Sequence, residues 1–234
     1  MRVKGDWPGL LTFRSGWAKA IGRPWNDAVP DASLRLVRGS AEFVDECSAE
    51  LCRLGARSVL SPPLDRSQRS VWLAAGYRPE LTLDVHSRDL FGALAPPAHA
   101  VVEGDDADWQ AAVAVDDASF TDRWRMGELG LAEARDATPK SAFLVVRDER
   151  LLGFVIVGTA VTAAYLQRIA VAPDARRAGV GRSLVRAAVA WGAAQGATRI
   201  VLNTQPDNEA AARLYRDEGF ECSPGALSVL ARSC

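Results

Sequence analysis

Histidine, methionine and tyrosine are scarce in this 234-residue chain, with two, two and three copies. No apolar run approaches the roughly 20 residues that a membrane-spanning helix needs. The amino terminus, Met1-Arg2-Val3-Lys4-Gly5-Asp6, has no apolar core of the kind a signal peptide carries. An excess of one charge is missing too. Lys and Arg number 28 against 29 Asp and Glu, so no global field favours nucleic acid or an anionic membrane. A cytoplasmic protein with neither nucleic-acid nor membrane partners is expected. Cysteines are four: Cys47 and Cys52 face differently on a predicted helix, and Cys222 and Cys234 form no ligand cluster with either histidine. Structural thiols and no metal site follow as expectations, and His86 and His99 are read as structural.

What the chain does have is concentrated in Leu166 to Leu184. A short apolar strand (Leu166-Gln167-Arg168-Ile169-Ala170-Val171) leads through the Pro173 turn into Arg176-Arg177-Ala178-Gly179-Val180-Gly181-Arg182-Ser183 and then an amphipathic helix. A helix that starts this way presents free N–H groups and a positive dipole end, and glycines let phosphates approach the main chain. The common nucleotide fingerprints are excluded. A dinucleotide loop needs a third glycine where Leu184 stands, and a Walker loop needs Gly-Lys-Ser/Thr where Gly181-Arg182-Ser183 stands. The helix, read as Ser183 to Gln195, carries Leu184, Ala188 and Trp191 at i, i+4, i+7, a stripe for packing on a sheet.

Further on, the strand-like run Arg199 to Thr204 precedes Asn208-Glu209-Ala210-Ala211-Ala212-Arg213-Leu214-Tyr215-Arg216-Asp217-Glu218-Gly219-Phe220. There Asp207-Asn208 reads as an N-cap and Gly219 as a helix stop. The loop resembles the Arg/Gln-x-x-Gly-x-Gly/Ala loop of the GNAT acetyltransferase superfamily, and the later segment resembles its Asn-x-x-Ala-x-x-Leu-Tyr-x-x-x-Gly-Phe signature. The resemblance covers roughly residues 100 to 234.

The order of elements agrees. Two helices are predicted over Asp105 to Ser119 and Phe120 to Arg135. A hairpin follows, Ser141 to Val146 with Leu151 to Val157 around Arg147-Asp148-Glu149-Arg150, and then a third run from Thr159 to Leu166. The expected fold is α+β / α/β, a GNAT fold with a mixed central sheet flanked by helices, preceded by a smaller αβ unit. Ala-Pro-Pro-Ala at 95–98 reads as a linker, giving domains 1–95 and 96–234. Within 1–95 an echo appears: Leu54 to Leu60 resembles Gln195 to Leu202, and Leu73-Ala74-Ala75-Gly76-Tyr77 resembles Arg216 to Phe220. Trp72 then stands where Tyr215 does, and no Arg-x-x-Gly-x-Gly loop follows Arg38. We read 1–95 as a degenerate GNAT-like half that neither binds coenzyme A nor catalyses.

The resemblance implies an N-acetyltransferase that transfers acetyl from acetyl-CoA to a primary amine of a small molecule, peptide or protein, by direct attack in a ternary complex. It implies cofactor contacts from Ile169, Ala170 and Val171, from the loop Arg176, Arg177, Ala178, Gly179, Val180, Gly181, Arg182 and Ser183, and from Asn208. Tyr215 would be the general acid for the departing thiolate. Phe120, Trp124, Glu128 and Asn203 are weaker candidates for the acceptor side. Asp116, Asp117, Glu128, Glu133 and Tyr165 are open options for the base, as is a water chain. The alternative is a non-catalytic acetyl-CoA or CoA sensor. The acceptor's identity stays open at this point, as does a homodimer.

Overall fold

The computed structural model describes residues 1–92 and 95–234, which form two compact units: Met1–Asp84 with Gly225–Cys234, and Val85–Pro224. The composition-based division, 1–95 and 96–234, differs from these units because the last strand of the chain pairs inside unit 1.

Unit 1 holds strands β1 (Arg2–Lys4), β2 (Leu11–Ser15), β3 (Ala18–Pro24) and β4 (Asp31–Arg38), helix α1 (Ala41–Arg53), strand β5 (Ser58–Leu60) and the short helix α2 (Ser70–Ala74). Alternation of buried and exposed positions in β2 and β3 gives these strands one core face. The chain then crosses into unit 2 along β6 (Arg78–Asp89). β4 and β5 run parallel, Asp31 to Ser33 against Ser58 to Leu60, with α1 as their crossover. Two residues, Gly39 and Ser40, join β4 to α1, and the Ser40 side chain accepts from the Phe43 N–H at 3.3 Å, capping the helix. Phe13, Leu34, Leu51, Trp72 and Tyr77 are core residues here. Tyr77 meets Trp72 edge to face at 4.9 Å and shares a 2.6 Å hydrogen bond with Ser48.

Unit 2 contains β7 (Val102–Glu103), α3 (Asp106–Ser119), α4 (Gly127–Asp136), β8 (Lys140–Arg147), β9 (Leu151–Ala160), β10 (Ala163–Val171), α5 (Val180–Ala194), β11 (Arg199–Thr204), α6 (Glu209–Asp217) and the start of β12 (Glu221–Ser233). Within this unit the strand order is β6-β11-β10-β9-β8-β7. β9 is buried at nearly every position, as a strand covered on both faces must be, and α3, α4 and α5 all contact it. Asp105 caps α3 through a reciprocal pair with Asp108. No helix among the described residues is long and apolar enough to cross a membrane.

Three expectations need correction. The second early helix begins at Gly127, not Phe120, so residues 120–126 form a connecting loop. α5 begins at Val180, one turn earlier than its apolar stripe suggests, because Gly179 rather than Ser183 opens it. Cys52 and Cys234 are not thiols: they form a disulfide, which closes the carboxyl-terminal strand onto α1 within unit 1. Their 182-residue separation hid the pairing from any local reading.

Candidate functional site

The site begins with an irregularity in β10. Its pairing with β9 runs from Ala163 to Val171 but slips between Leu166 and Arg168, leaving Gln167 as an extra residue. Its parallel pairing with β11 covers Ala163 to Tyr165. Past that point the two strands part, and Ile169, Ala170 and Val171 border a cavity of about 710 Å³ within unit 2.

The second wall is the loop into α5. Gly179 is the N-cap at φ +86°, a left-handed conformation that glycine adopts without strain, and no side chain caps this helix. That contrasts with α1, which Ser40 seals. The first-turn N–H groups of α5, which a helix leaves without intrahelical partners, therefore stay available to a ligand. Arg177 also has positive φ, +65°, an uncommon setting for a side-chain-bearing residue. Arg176, Arg177, Gly179, Gly181 and Arg182 line the cavity. The sequence-predicted Ala178, Val180 and Ser183 do not. Val180 is core, and Ser183 Oγ donates to the Gly179 carbonyl (3.2 Å) and accepts from the His99 N–H (3.1 Å).

The loop is braced from outside. His99 Nε2 lies 2.7 Å from the Ala178 carbonyl, and Arg186 donates to the Pro96 carbonyl at 3.1 Å, so part of the presumed linker is tied to α5. Arg182 is only partly available to a ligand, since its guanidinium meets Glu218 at 2.6 Å and Asp217 at 3.1 Å. Glu218 is buried, and Arg186 completes its neutralisation at 2.8 Å.

α6 supplies the third wall. Asn208 Oδ1 caps it by accepting from the Ala211 N–H (3.2 Å), and Asn208 also lines the cavity with Arg213 and Leu214. Tyr215 is 4% exposed yet borders the same space, with its ring 5.8 Å from Phe220 and 5.9 Å from His86. Burial pushes its phenol up to about 12, against the opposing pull of the Arg168 charge.

The fourth wall is the end of α3 and the loop after it: Ser119, Phe120, Thr121 and Trp124. Here the sequence reading missed Arg168. Its Nε meets the fully buried Asp116 at 2.6 Å, its Nη2 donates to the Trp124 carbonyl at 2.8 Å, and its guanidinium carbon lies 3.6 Å from the centre of the Phe120 ring. Asp116 Oδ2 accepts from the Met126 N–H at 2.9 Å, so both carboxylate oxygens are used. The polar pair Gln167-Arg168 inside an apolar strand was the available signal for both the bulge and this anchor. Glu128 and Asn203 do not line the cavity.

Comparison with known proteins agrees with this layout. Residues 109–220 match the model of the Acetyltransferase (GNAT) family. The fold is similar to that of a GNAT-family protein from Novosphingobium aromaticivorans, at TM-score 0.63 and 18% identity over 95% of this chain and 91% of that one. A tandem GNAT protein from the clavulanic acid biosynthesis pathway aligns at TM-score 0.62 and 14% identity, over 96% and 82%. A GCN5-related N-acetyltransferase from Kribbella flavida aligns at 0.58 and 15%, over 95% and 89%. These identities speak to fold alone. No curated protein matches the chain in sequence. The chain has the GNAT fold, and its residues 109–220 match the GNAT acetyltransferase family model.

Proposed function

We propose that the protein is an N-acetyltransferase that uses acetyl-CoA and passes its acetyl group to a primary amine by direct attack in a ternary complex. The observation that carries this reading is a single cavity bordered by the uncapped start of α5, the bulged strand β10 and Tyr215. The first-turn N–H groups of α5 and the guanidinium groups of Arg176, Arg177 and Arg213 would hold the cofactor's phosphates. Main-chain groups of Ile169, Ala170 and Val171 would receive the pantetheine arm and polarise the thioester carbonyl. Bound there, the thioester supplies an activated acyl group. As the C–S bond breaks and the C–N bond forms, Tyr215 gives its phenolic proton to the departing sulfur, the amine's proton passes to water, and water restores the proton of Tyr215.

Unit 1 repeats the antiparallel pair and parallel crossover of unit 2 in β3, β4, α1 and β5. We read it as a reduced copy without a cofactor site, because a two-residue connection and the Ser40 cap replace the phosphate loop. A cytoplasmic location belongs to the same proposal; in a reducing compartment Cys52 and Cys234 would stand as two thiols. Calorimetric titration with acetyl-CoA, followed by thiol release with an amine panel, tests the reading. Binding without amine-dependent release would favour a sensor.

A further inference from the structure

The acceptor wall has a chemistry of its own. Phe120 and Trp124 give it aromatic surface, and Ser119 spends its hydroxyl on the Val171 carbonyl at 3.0 Å. Asp116, the carboxylate beneath this wall, is fully buried and saturated by Arg168 and the Met126 N–H. The aspartates that line the cavity, Asp207 and Asp217, belong to the β11–α6 loop and α6, and Asp217 is paired with Arg182. Among the described residues, then, neither the end of α3 nor its following loop sends a carboxylate or an imidazole into the cavity. A polycationic acceptor would find no counter-charge on this wall. An ammonium group would find no base there to take its proton.

With Asp217 paired and Asp207 on the opposite, cofactor-side wall, this wall favours an acceptor that arrives with its amine already largely neutral. An α-amine, with a pKa of about 7.7–8.0, is neutral in a fraction about 230–420 times larger than a lysine side chain of pKa about 10.4 at pH 7. We propose, resting on the acetyltransferase reading above, that the acceptor is the α-amine of a residue with an apolar or aromatic side chain, seated against Phe120 and Trp124. The neutral amine attacks the thioester carbon, C–N forms and C–S breaks, the nitrogen's proton passes to water, and the sulfur takes the proton of Tyr215. Water then returns a proton to the Tyr215 phenolate, so that, net, one thioester and one amine give one amide and one thiol.

The test compares kcat/KM for four acceptors on the full-length protein: a phenylalanine-led tripeptide, free phenylalanine, an amino-terminally blocked peptide with one lysine, and spermidine. The tripeptide is expected to exceed the lysine peptide and spermidine by at least about tenfold near pH 7, after allowance for the more basic amine's greater nucleophilicity. The tripeptide and free phenylalanine arms distinguish a peptide end from a free amino acid. The acidic limb of the pH profile is expected to follow the pKa of whichever acceptor is used. Trp124→Ala is expected to raise the acceptor KM about tenfold while leaving acetyl-CoA affinity unchanged, with Trp124→Phe restoring most of it. Equal or better turnover of spermidine or the lysine peptide overturns the inference. A limb that stays fixed when the acceptor changes does so too, as does acetyl-CoA binding with no turnover of either α-amine. Failure to bind acetyl-CoA at all overturns instead the reading on which it rests.

Discussion

Replacing Tyr215 by phenylalanine removes one hydroxyl and keeps a ring that is buried against Phe220 and His86. Its expected cost follows from the phenol's surroundings. General acids contribute about 10²–10⁴-fold. Burial pushes this phenol up to about 12, whereas an ordinary thiol sits near 8.5, so complete transfer to the sulfur is uphill by about 3–4 units. Partial donation in the transition state is therefore expected, at the lower end of that range. A loss of about 10²-fold in kcat corresponds to about 3 kcal/mol. Thiol release under single-turnover conditions measures it, with acetyl-CoA affinity followed separately by calorimetry. Retention of more than half the wild-type rate, with chemistry limiting, would refute the role. Titration supplies a second readout. The folded phenol lies above its unfolded value of about 10, so its contribution to stability is complete below pH 10 and is lost as pH rises through about 12. Two units amount to about 3 kcal/mol. The Tyr77 phenol in unit 1 is also pushed up by burial, so the comparison is between wild type and Tyr215→Phe at each pH.

Gly179→Asp adds a side chain at φ +86° and a negative charge at the start of α5, so acetyl-CoA affinity should fall at least a hundredfold in calorimetry while circular dichroism stays native. Wild-type titration should give one acetyl-CoA per chain; two would mean that unit 1 binds as well. Asp116→Asn leaves Arg168 without its buried counter-charge and should lower unfolding free energy by about 3–5 kcal/mol in denaturant melts. In protein purified under oxidising conditions, counting thiols in the unfolded chain should give two before reduction and four after it, and Cys234→Ser should cost about 2–4 kcal/mol there.

What could be read from the sequence was local. The α5 loop and the Asn208 to Phe220 segment each lie within one strand–loop–helix stretch, so their residue spacing encodes their geometry. β11 matches its predicted span, Arg199 to Thr204, and Asn208 is indeed the cap of α6. Pairings that depend on distant segments could not be read this way. Arg168 reaches Asp116 across 52 residues, and Cys52 reaches Cys234 across 182. Residues 120–126 read in sequence both as the start of the second helix and as a loop joining the two, and the structure gives the loop, whose backbone is held open by the Trp124 carbonyl and Met126 N–H contacts to that same ion pair. In sequence the arginines of the α5 loop look alike as phosphate ligands. Their partners separate them: Arg182 is occupied by the carboxylates of Asp217 and Glu218, while Arg176 donates to main-chain carbonyls, that of Ser119 at 3.1 Å, and lines the cavity.

The central claim is that the cavity between β10, α5 and α6 transfers acetyl from coenzyme A to an amine. The most direct measurement follows thiol release and acetylated amine together, in wild type and in Gly179→Asp. The expected result is equal amounts of thiol and acetylated amine, rising with amine concentration in the wild type and lost in the variant. Thiol release that ignores the amine, or that survives in Gly179→Asp, would contradict it.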